Sequence, residues 1–134
     1  VISTILDRLN FPIDLRKFII IGIINTLVAY IVFLLLLNFK INYKVANILS
    51  YIIGMINSFL FNKKWTFQFS NKTTFSLVTK FVFVNLVSLS LGLLTIIFLV
   101  EVFDFTDYFA QLFSISVSVL INYFGQKKIV FINE

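Results

Sequence analysis

The chain has 134 residues, of which 60% are of hydrophobic type and only 13% are charged, with a net charge of +5 and a mean hydropathy of +1.02. A water-soluble domain carries roughly a quarter charged residues, so this composition excludes a domain that faces water on all sides and indicates an integral membrane protein. There is no cysteine and no histidine, which removes disulfides, thiol nucleophiles, thiolate metal sites and the commonest general base.

Residues 1–15 are too short to cross a bilayer. Ile2, Ile5, Leu6 and Leu9 fall at helical spacing, opposite Ser3, Asp7, Arg8 and Asn10. This pattern predicts a short helix lying in the membrane interface and interrupted at Pro12. A frayed leader is the alternative reading of the same residues. Four stretches without charge follow, at 18–37, 45–62, 81–100 and 108–126. At about 1.5 Å per residue each spans roughly 27 to 30 Å, the thickness of a hydrocarbon core. The first is also longer than the apolar region of a cleaved signal peptide, about 7 to 15 residues. The expected fold is an all-α membrane protein with four transmembrane helices in a single membrane domain, 1–134. Its parts are an interfacial segment 1–15, a first helical hairpin 16–67, a cytoplasmic linker 68–79 and a second hairpin 80–131, which leaves no soluble domain.

Charge sets the expected orientation. Successive spans alternate sides, so the termini and the middle linker share one face, which collects Arg8, Arg16, Lys17, Lys63, Lys64, Lys72, Lys80, Lys127 and Lys128. The hairpin loops hold only Lys40 and Lys44 beside Glu101, Asp104 and Asp107. The positive-inside rule then places both termini in the cytoplasm and the chain as a multi-pass protein of the cell membrane. Such asymmetry argues against dual topology, so a homo-oligomer is expected to be parallel.

The two halves repeat. RKF at 16–18 and KKWTF at 63–67 bracket the first pair of spans, and TKF at 79–81 and KKIVF at 127–131 bracket the second. The offsets are 63 at the start and 64 at the end, with Asn57 and Asn122 shortly before the lysine pairs. Each half crosses an even number of times, so the repeats are parallel and their pseudo-twofold axis runs along the membrane normal. SNKTT at 70–74 lies between them.

Each span also carries small and polar residues at helical spacing. They are Gly22, Asn25, Thr26 and Ala29 in the first span, and Ala46, Ser50, Gly54 and Ser58 with Asn57 in the second. The third has Asn85, Ser88, Gly92 and Thr95, and the fourth Gln111, Ser114, Ser118, Asn122 and Gly125. Such faces are ordinary packing surfaces in lipid. The asparagines are more pointed, because each span has one roughly 7 to 12 Å along its helix from the basic end. An unpartnered carboxamide in hydrocarbon costs at least a few kcal/mol, so these groups must find one another, water or a ligand. No acid lies within a span, so coupling to a proton gradient through an in-span carboxylate is not expected. Neither are enzymatic acid–base chemistry, a metal, a cofactor or a nucleic-acid partner.

The stretches RKFIIIGIINTLVAYIVFLLL (16–36), ANILSYIIGMINSFLFNKKWTF (46–67) and TKFVFVN (79–85) resemble the GtrA-like family of small four-helix membrane proteins. The specific element is N-S-F-x-x-N-[RK]-x-W-x-F at the end of the second span. The second half departs from it, since KKIVF lacks the tryptophan. Matched positions are Arg16, Lys17, Gly22, Asn25, Asn57, Ser58, Phe59, Asn62, Lys63, Trp65 and Phe67. The resemblance implies translocation of a polyprenyl-phosphate-linked (undecaprenyl-type) monosaccharide across the cytoplasmic membrane for cell-surface polysaccharide glycosylation, beside a partner glycosyltransferase. The alternative is a non-transporting subunit that anchors or stabilises such a glycosyltransferase. The candidate substrate-binding residues are Arg16, Lys17, Lys63, Lys64, Lys80, Lys127 and Lys128 for the phosphate, with Trp65 at headgroup level. Asn25, Asn57, Asn62, Asn85, Asn122 and Ser58 are the candidates for the sugar hydroxyls, together with Ser88 and Ser118. Lys63, Lys64 and Trp65 are equally the residues that anchor many helix ends at a membrane surface.

Overall fold

A computed structural model describes residues 1–133, except for the side chains at positions 3, 6, 7, 43, 44, 47, 107 and 108. The expected roles of Ser3, Leu6 and Asp7 in an amphipathic helix, and of Lys44 and Asp107 in the loop charges, therefore lie outside the described residues. The described chain is helical with connecting turns and contains no strand. It forms two compact units, Val1–Ser70 and Asn71–Glu134.

In the first unit a short helix, α1 (Ile2–Arg8), leaves Ile2, Ile5 and Leu9 exposed. Asn10 takes a left-handed conformation at φ 56°, and Pro12 then starts α2 (Ile13–Asn38). Proline has no N–H to leave unsatisfied, and its fixed φ suits a helix entry. The Pro12 carbonyl accepts from Arg16 N–H at 3.1 Å. The helix thus begins five residues before the charge-free stretch, because charged residues are as compatible with a first turn as apolar ones. Asp14 sits there beside the positive end of the helix dipole. At the other end Lys40 is left-handed (φ 58°), while Lys40 N–H donates to the Leu37 carbonyl and Ile41 N–H to that of Leu36. These bonds close the terminus in Schellman fashion without a glycine.

Helix α3 (Tyr43–Phe61) returns antiparallel to α2, so that Asn57 meets Asn25 and Gly54 meets Ala29. It ends in a π-helical turn, Asn62–Thr66, in which Phe67 N–H reaches back five residues to the Asn62 carbonyl at 2.9 Å. The wider turn carries Phe67 onto Phe18, with ring centroids 6.3 Å apart at 50°. Asn62 holds the turn from inside, only 1% exposed. Its Nδ2 donates to Ser58 Oγ at 3.1 Å, and its Oδ1 accepts from Thr66 Oγ1 at 2.8 Å.

The second unit repeats this plan. Thr74 caps α4 (Phe75–Phe103), its hydroxyl oxygen accepting from Leu77 N–H at 3.2 Å. Helix α5 (Asp107–Gly125) runs back into a second π-helical turn, Gln126–Val130. There Phe131 N–H bonds the Gln126 carbonyl at 2.8 Å, and Phe131 meets Phe81 with centroids again 6.3 Å apart at 50°. Helices α2 and α4 are long and apolar enough to cross a membrane. Their 26 and 29 residues reach about 39 and 43 Å, beyond a hydrocarbon core of about 30 Å.

The seam of each hairpin is lined by a series stepping by four. Ala46, Ser50, Gly54, Ser58 and Asn62 in α3 and its turn match Ala110, Ser114, Ser118, Asn122 and Gln126 in α5 and its turn, always 64 apart. Ala46 and Ala110 are both fully buried, and Ser50 and Ser114 nearly so. In α4 and α5 the backbones approach closely enough for hydroxyls to bridge them. Ser88 Oγ donates to the Ser118 carbonyl at 2.6 Å, Ser118 Oγ to that of Ser88 at 3.2 Å, and Ser114 Oγ to that of Gly92 at 2.6 Å.

Three positions depart from the predicted stripes. Gly22 and Thr26 are exposed, because the face of Asn25 continues four residues earlier at Ile21, which is the buried residue. Gln111 is exposed too, since the four-step series passes through Ala110. Exposed hydroxyls bond their own helix, with Thr26, Ser90 and Ser116 each donating to the carbonyl four residues back. Large apolar side chains such as Leu34, Leu93 and Phe98 point outward. Polar groups face the seam and apolar groups the surroundings, the reverse of a soluble hairpin.

Two stability predictions follow from these contacts. A Cβ at Gly92 would collide with Ser118 Oγ and lie 3.3 Å from the Ser114 carbonyl oxygen. Gly92→Ala is therefore expected to cost about 1–3 kcal/mol through overpacking, with partial recovery when Ser118→Ala is added. Gly22→Ala, whose Cβ meets no heavy atom within 4 Å, is expected to carry no steric cost, and unfolding in detergent compares the three. Thr66→Val strips the donor from a buried carboxamide oxygen and is expected to destabilise the first hairpin by about 1–3 kcal/mol, read by the same unfolding curves.

Candidate functional site

The two helical hairpins bring their lysines and aromatic rings to the end closed by the π-helical turns. In the first, Lys17 Nζ donates to the Trp65 carbonyl at 3.3 Å and lies 5.5 Å from the centre of the Trp65 ring. Arg16 Nε bonds the Phe11 carbonyl at 2.6 Å, and Lys63 Nζ lies 5.9 Å from the Phe69 ring. Lys64 is exposed, and Trp65 is 41% exposed. In the second hairpin Lys127 Nζ donates to the Tyr123 hydroxyl at 3.2 Å and lies 5.5 Å from that ring, while Lys128 lies 5.5 Å from Phe124. Lys80 is exposed. A cation over an aromatic face gains about 0.5–1 kcal/mol at an exposed site. Four lysines, Lys17, Lys63, Lys127 and Lys128, thus rest against rings while their charge stays available to an anion.

Behind each basic end lies a line of amides and hydroxyls. Asn57 Nδ2 donates to Asn25 Oδ1 at 2.5 Å across α2 and α3. In the second hairpin Asn122 Nδ2 donates to Asn85 Oδ1 at 3.2 Å, and Asn85 Nδ2 to the Phe81 carbonyl at 2.8 Å. The four asparagines thus pair two by two, each pair within its own hairpin. The pairs also differ in depth. Asn25 lies seven residues past Phe18, about 10 Å along its helix, whereas Asn85 lies four past Phe81, about 6 Å. A carboxamide has two N–H donors and a carbonyl with two lone pairs. One pairing bond uses a single donor of Asn57 and one lone pair of Asn25, so capacity to bond hydroxyls remains. Ser58 is taken by Asn62, and Ser88 and Ser118 by each other's backbone.

Sequence reasoning missed Gln126, Tyr123 and Thr66. Gln126 is fully buried and donates through Nε2 to Asn122 Oδ1 at 3.0 Å. The signal for it was present, because the 64-residue offset of the lysine pairs makes Gln126 the counterpart of Asn62, Tyr123 of Phe59 and Val130 of Thr66. Among the described residues no cluster of three acidic, histidine or cysteine side chains could hold a metal ion.

Comparison with known proteins agrees with this construction. The family model described as GtrA/DPMS, transmembrane domain, matches residues 17–131, across both hairpins. The chain is also 30% identical over 74 residues to a protein of Bacillus subtilis (strain 168) described as "Uncharacterized membrane protein YngA". That alignment covers 55% of this chain and 50% of the other, so the chain spans about half the length of the relative it matches. With the matched region running from the first basic end to the last, the chain is a membrane protein that belongs to the GtrA/DPMS transmembrane-domain family.

Proposed function

We propose that the protein carries a polyprenyl-phosphate-linked monosaccharide across the cytoplasmic membrane, to be used in glycosylating a cell-surface polysaccharide. What supports this reading is one observation above all. In each apolar hairpin a half-buried line of amides and hydroxyls starts directly behind a cluster of lysines and aromatic rings. In this reading the four long helices span the bilayer as parallel repeats, with both termini cytoplasmic and α1 in the interface. The lysines, with Arg16, receive the phosphodiester as point charges. Amides on the seam replace water around the sugar hydroxyls, which would otherwise enter hydrocarbon unpartnered. The polyprenyl tail stays in lipid between helices.

No bond forms or breaks in this step. Direction comes from supply of the lipid-linked sugar by a partner glycosyltransferase on the cytoplasmic side and its consumption outside. A parallel homo-oligomer would place the path between protomers, since four helices make only a thin wall. One observation favours a second reading, in which the chain anchors or stabilises that glycosyltransferase without transport. The asparagines already bond within their own hairpins, as packing alone would require.

Liposomes carrying a short-chain polyprenyl-phosphate monosaccharide on both leaflets separate the two. The measured quantity is the fraction open to an impermeant reagent added outside. The wild-type protein is expected to expose the inner-leaflet pool rapidly. Asn57→Ala and Lys63→Ala are each expected to slow this by about tenfold, the effect of one lost bond to a charged or buried partner. A wild-type rate equal to that of empty liposomes, from protein shown to be folded, would sink translocation and leave the anchoring reading.

A further inference from the structure

The two hairpins are built alike but are not closed alike. In the first, Asn62 has a partner at both polar atoms, its amide donating to Ser58 and its carbonyl oxygen accepting from Thr66. In the second, Gln126 takes the place of Asn62 and is equally buried, but Thr66 is replaced by Val130, which has no hydroxyl. Gln126 Oε1 is accordingly left without a hydrogen-bond partner among the described residues, and no other buried side-chain polar atom among them shares that condition.

Rotating the amide does not remove the problem. The Phe81 carbonyl can only accept, so Asn85 must turn its Nδ2 toward it. Asn85 Oδ1 then accepts from Asn122, and Asn122 Oδ1 accepts from Gln126 Nε2. Reversing Gln126 would set two oxygens against each other. The relay is polarised by the Phe81 backbone carbonyl, and its unmet demand for a donor is left at Gln126. That residue opens the π-helical turn next to Lys127 and Lys128, and π-helical turns recur at functional sites.

A second difference points the same way. Lys17 is held by the carbonyl and ring of Trp65. For its counterpart Lys80 the repeat has Ile129 at the position of that tryptophan; Lys80 is exposed and makes no hydrogen bond, ion pair or ring contact among the described residues. Lys80 precedes Phe81, which packs on Phe131, whose N–H bonds the Gln126 carbonyl. The exposed cation and the unsatisfied acceptor therefore belong to the same end of one hairpin. Lys64 is the exposed lysine of the first hairpin, but no unsatisfied buried group accompanies it there.

We infer that the headgroup is first held at the second hairpin, with Lys80 taking the phosphate and Gln126 Oε1 accepting one hydroxyl or amide N–H of the attached sugar, while the basic end of the first hairpin offers no unpartnered buried acceptor. Because Oε1 is fully buried, the π-helical turn must shift for a donor to reach it, and only one small donor group, not a whole ring, would then fit. The identity of the headgroup rests on the translocation reading; its location does not.

The test uses the full chain in nanodiscs, titrated with a short-chain polyprenyl-phosphate monosaccharide, with acylation of each lysine read by mass spectrometry. Lys80 is expected to become protected while Lys17 and Lys64 do not. Val130→Thr, which supplies the hydroxyl found at Thr66, is expected to raise the half-protecting concentration about fivefold, the effect of one hydrogen bond. Gln126→Met is expected to do the same by removing the acceptor. Absence of protection at Lys80, equal protection at Lys64, or an unchanged titration in folded Val130→Thr would each overturn the assignment. Protection of Lys80 without transfer in liposomes would sink translocation alone, and transfer with Lys80 unprotected would sink this assignment alone.

Discussion

A polar atom in hydrocarbon has no solvent to turn to, and the design of this chain follows from that constraint. Exposed hydroxyls spend their proton on their own helix, as Thr26, Ser90 and Ser116 do. Inward ones reach the opposite backbone, as Ser88, Ser114 and Ser118 do. Carboxamides pair across the seam. Helix association in lipid gains little from apolar burial, because acyl chains are as apolar as leucine. Close approach at Gly54 and Gly92 and these interhelical bonds therefore carry the packing of each hairpin, at an average of about 0.6 kcal/mol per bond.

The same constraint explains the π-helical turns. An α-helix that simply stopped would leave its last four carbonyls unmatched. Widening the final turn lets Phe67 and Phe131 donate back across it and folds their rings onto Phe18 and Phe81. The helix ends therefore turn back against their partners, bringing the lysine pairs beside the aromatic rings. The basic cluster is thus a by-product of closing the backbone, and it stands where the fold needs an aromatic lock.

Much of this was legible in the sequence. Charge-free stretches of bilayer length marked the four long helices, and the repeated lysine pairs marked the duplication with its 64-residue offset. Helix starts were not legible, because Asp14, Arg16 and Lys17 are tolerated in a first turn and Thr74 caps α4 well before its apolar run begins. A carboxamide's partner was hidden as well. Spacing placed Asn25 and Asn57 at comparable depth, but only the antiparallel register decides that they meet each other. Gly22 and Gln111 misled for a related reason: smallness and polarity suit either face of a helix, and the phase of the four-step series chose Ile21 and Ala110 instead. Gln126 escaped notice because its meaning lies in a missing partner, visible only when Val130 is set against Thr66.

An unsatisfied buried acceptor costs about 1–3 kcal/mol, a sizeable fraction of the roughly 5–15 kcal/mol that holds a domain folded. One exchange, valine for threonine, separates the second hairpin from the closure the first already has. Full closure would also have a consequence for a carrier. A seam whose every donor and acceptor is saturated offers a passing hydroxyl nothing without first breaking an internal bond. One unpartnered acceptor behind the lysines would give an entering group a bond that displaces no other, with the half-used amides of Asn122 and Asn85 beyond it. In a carrier, groups each already engaged on one side would hold a ligand only loosely, so that release on the far side would stay fast. Saturating one repeat for rigidity while leaving the other a single donor short is how a duplicated hairpin can be stable and still bind.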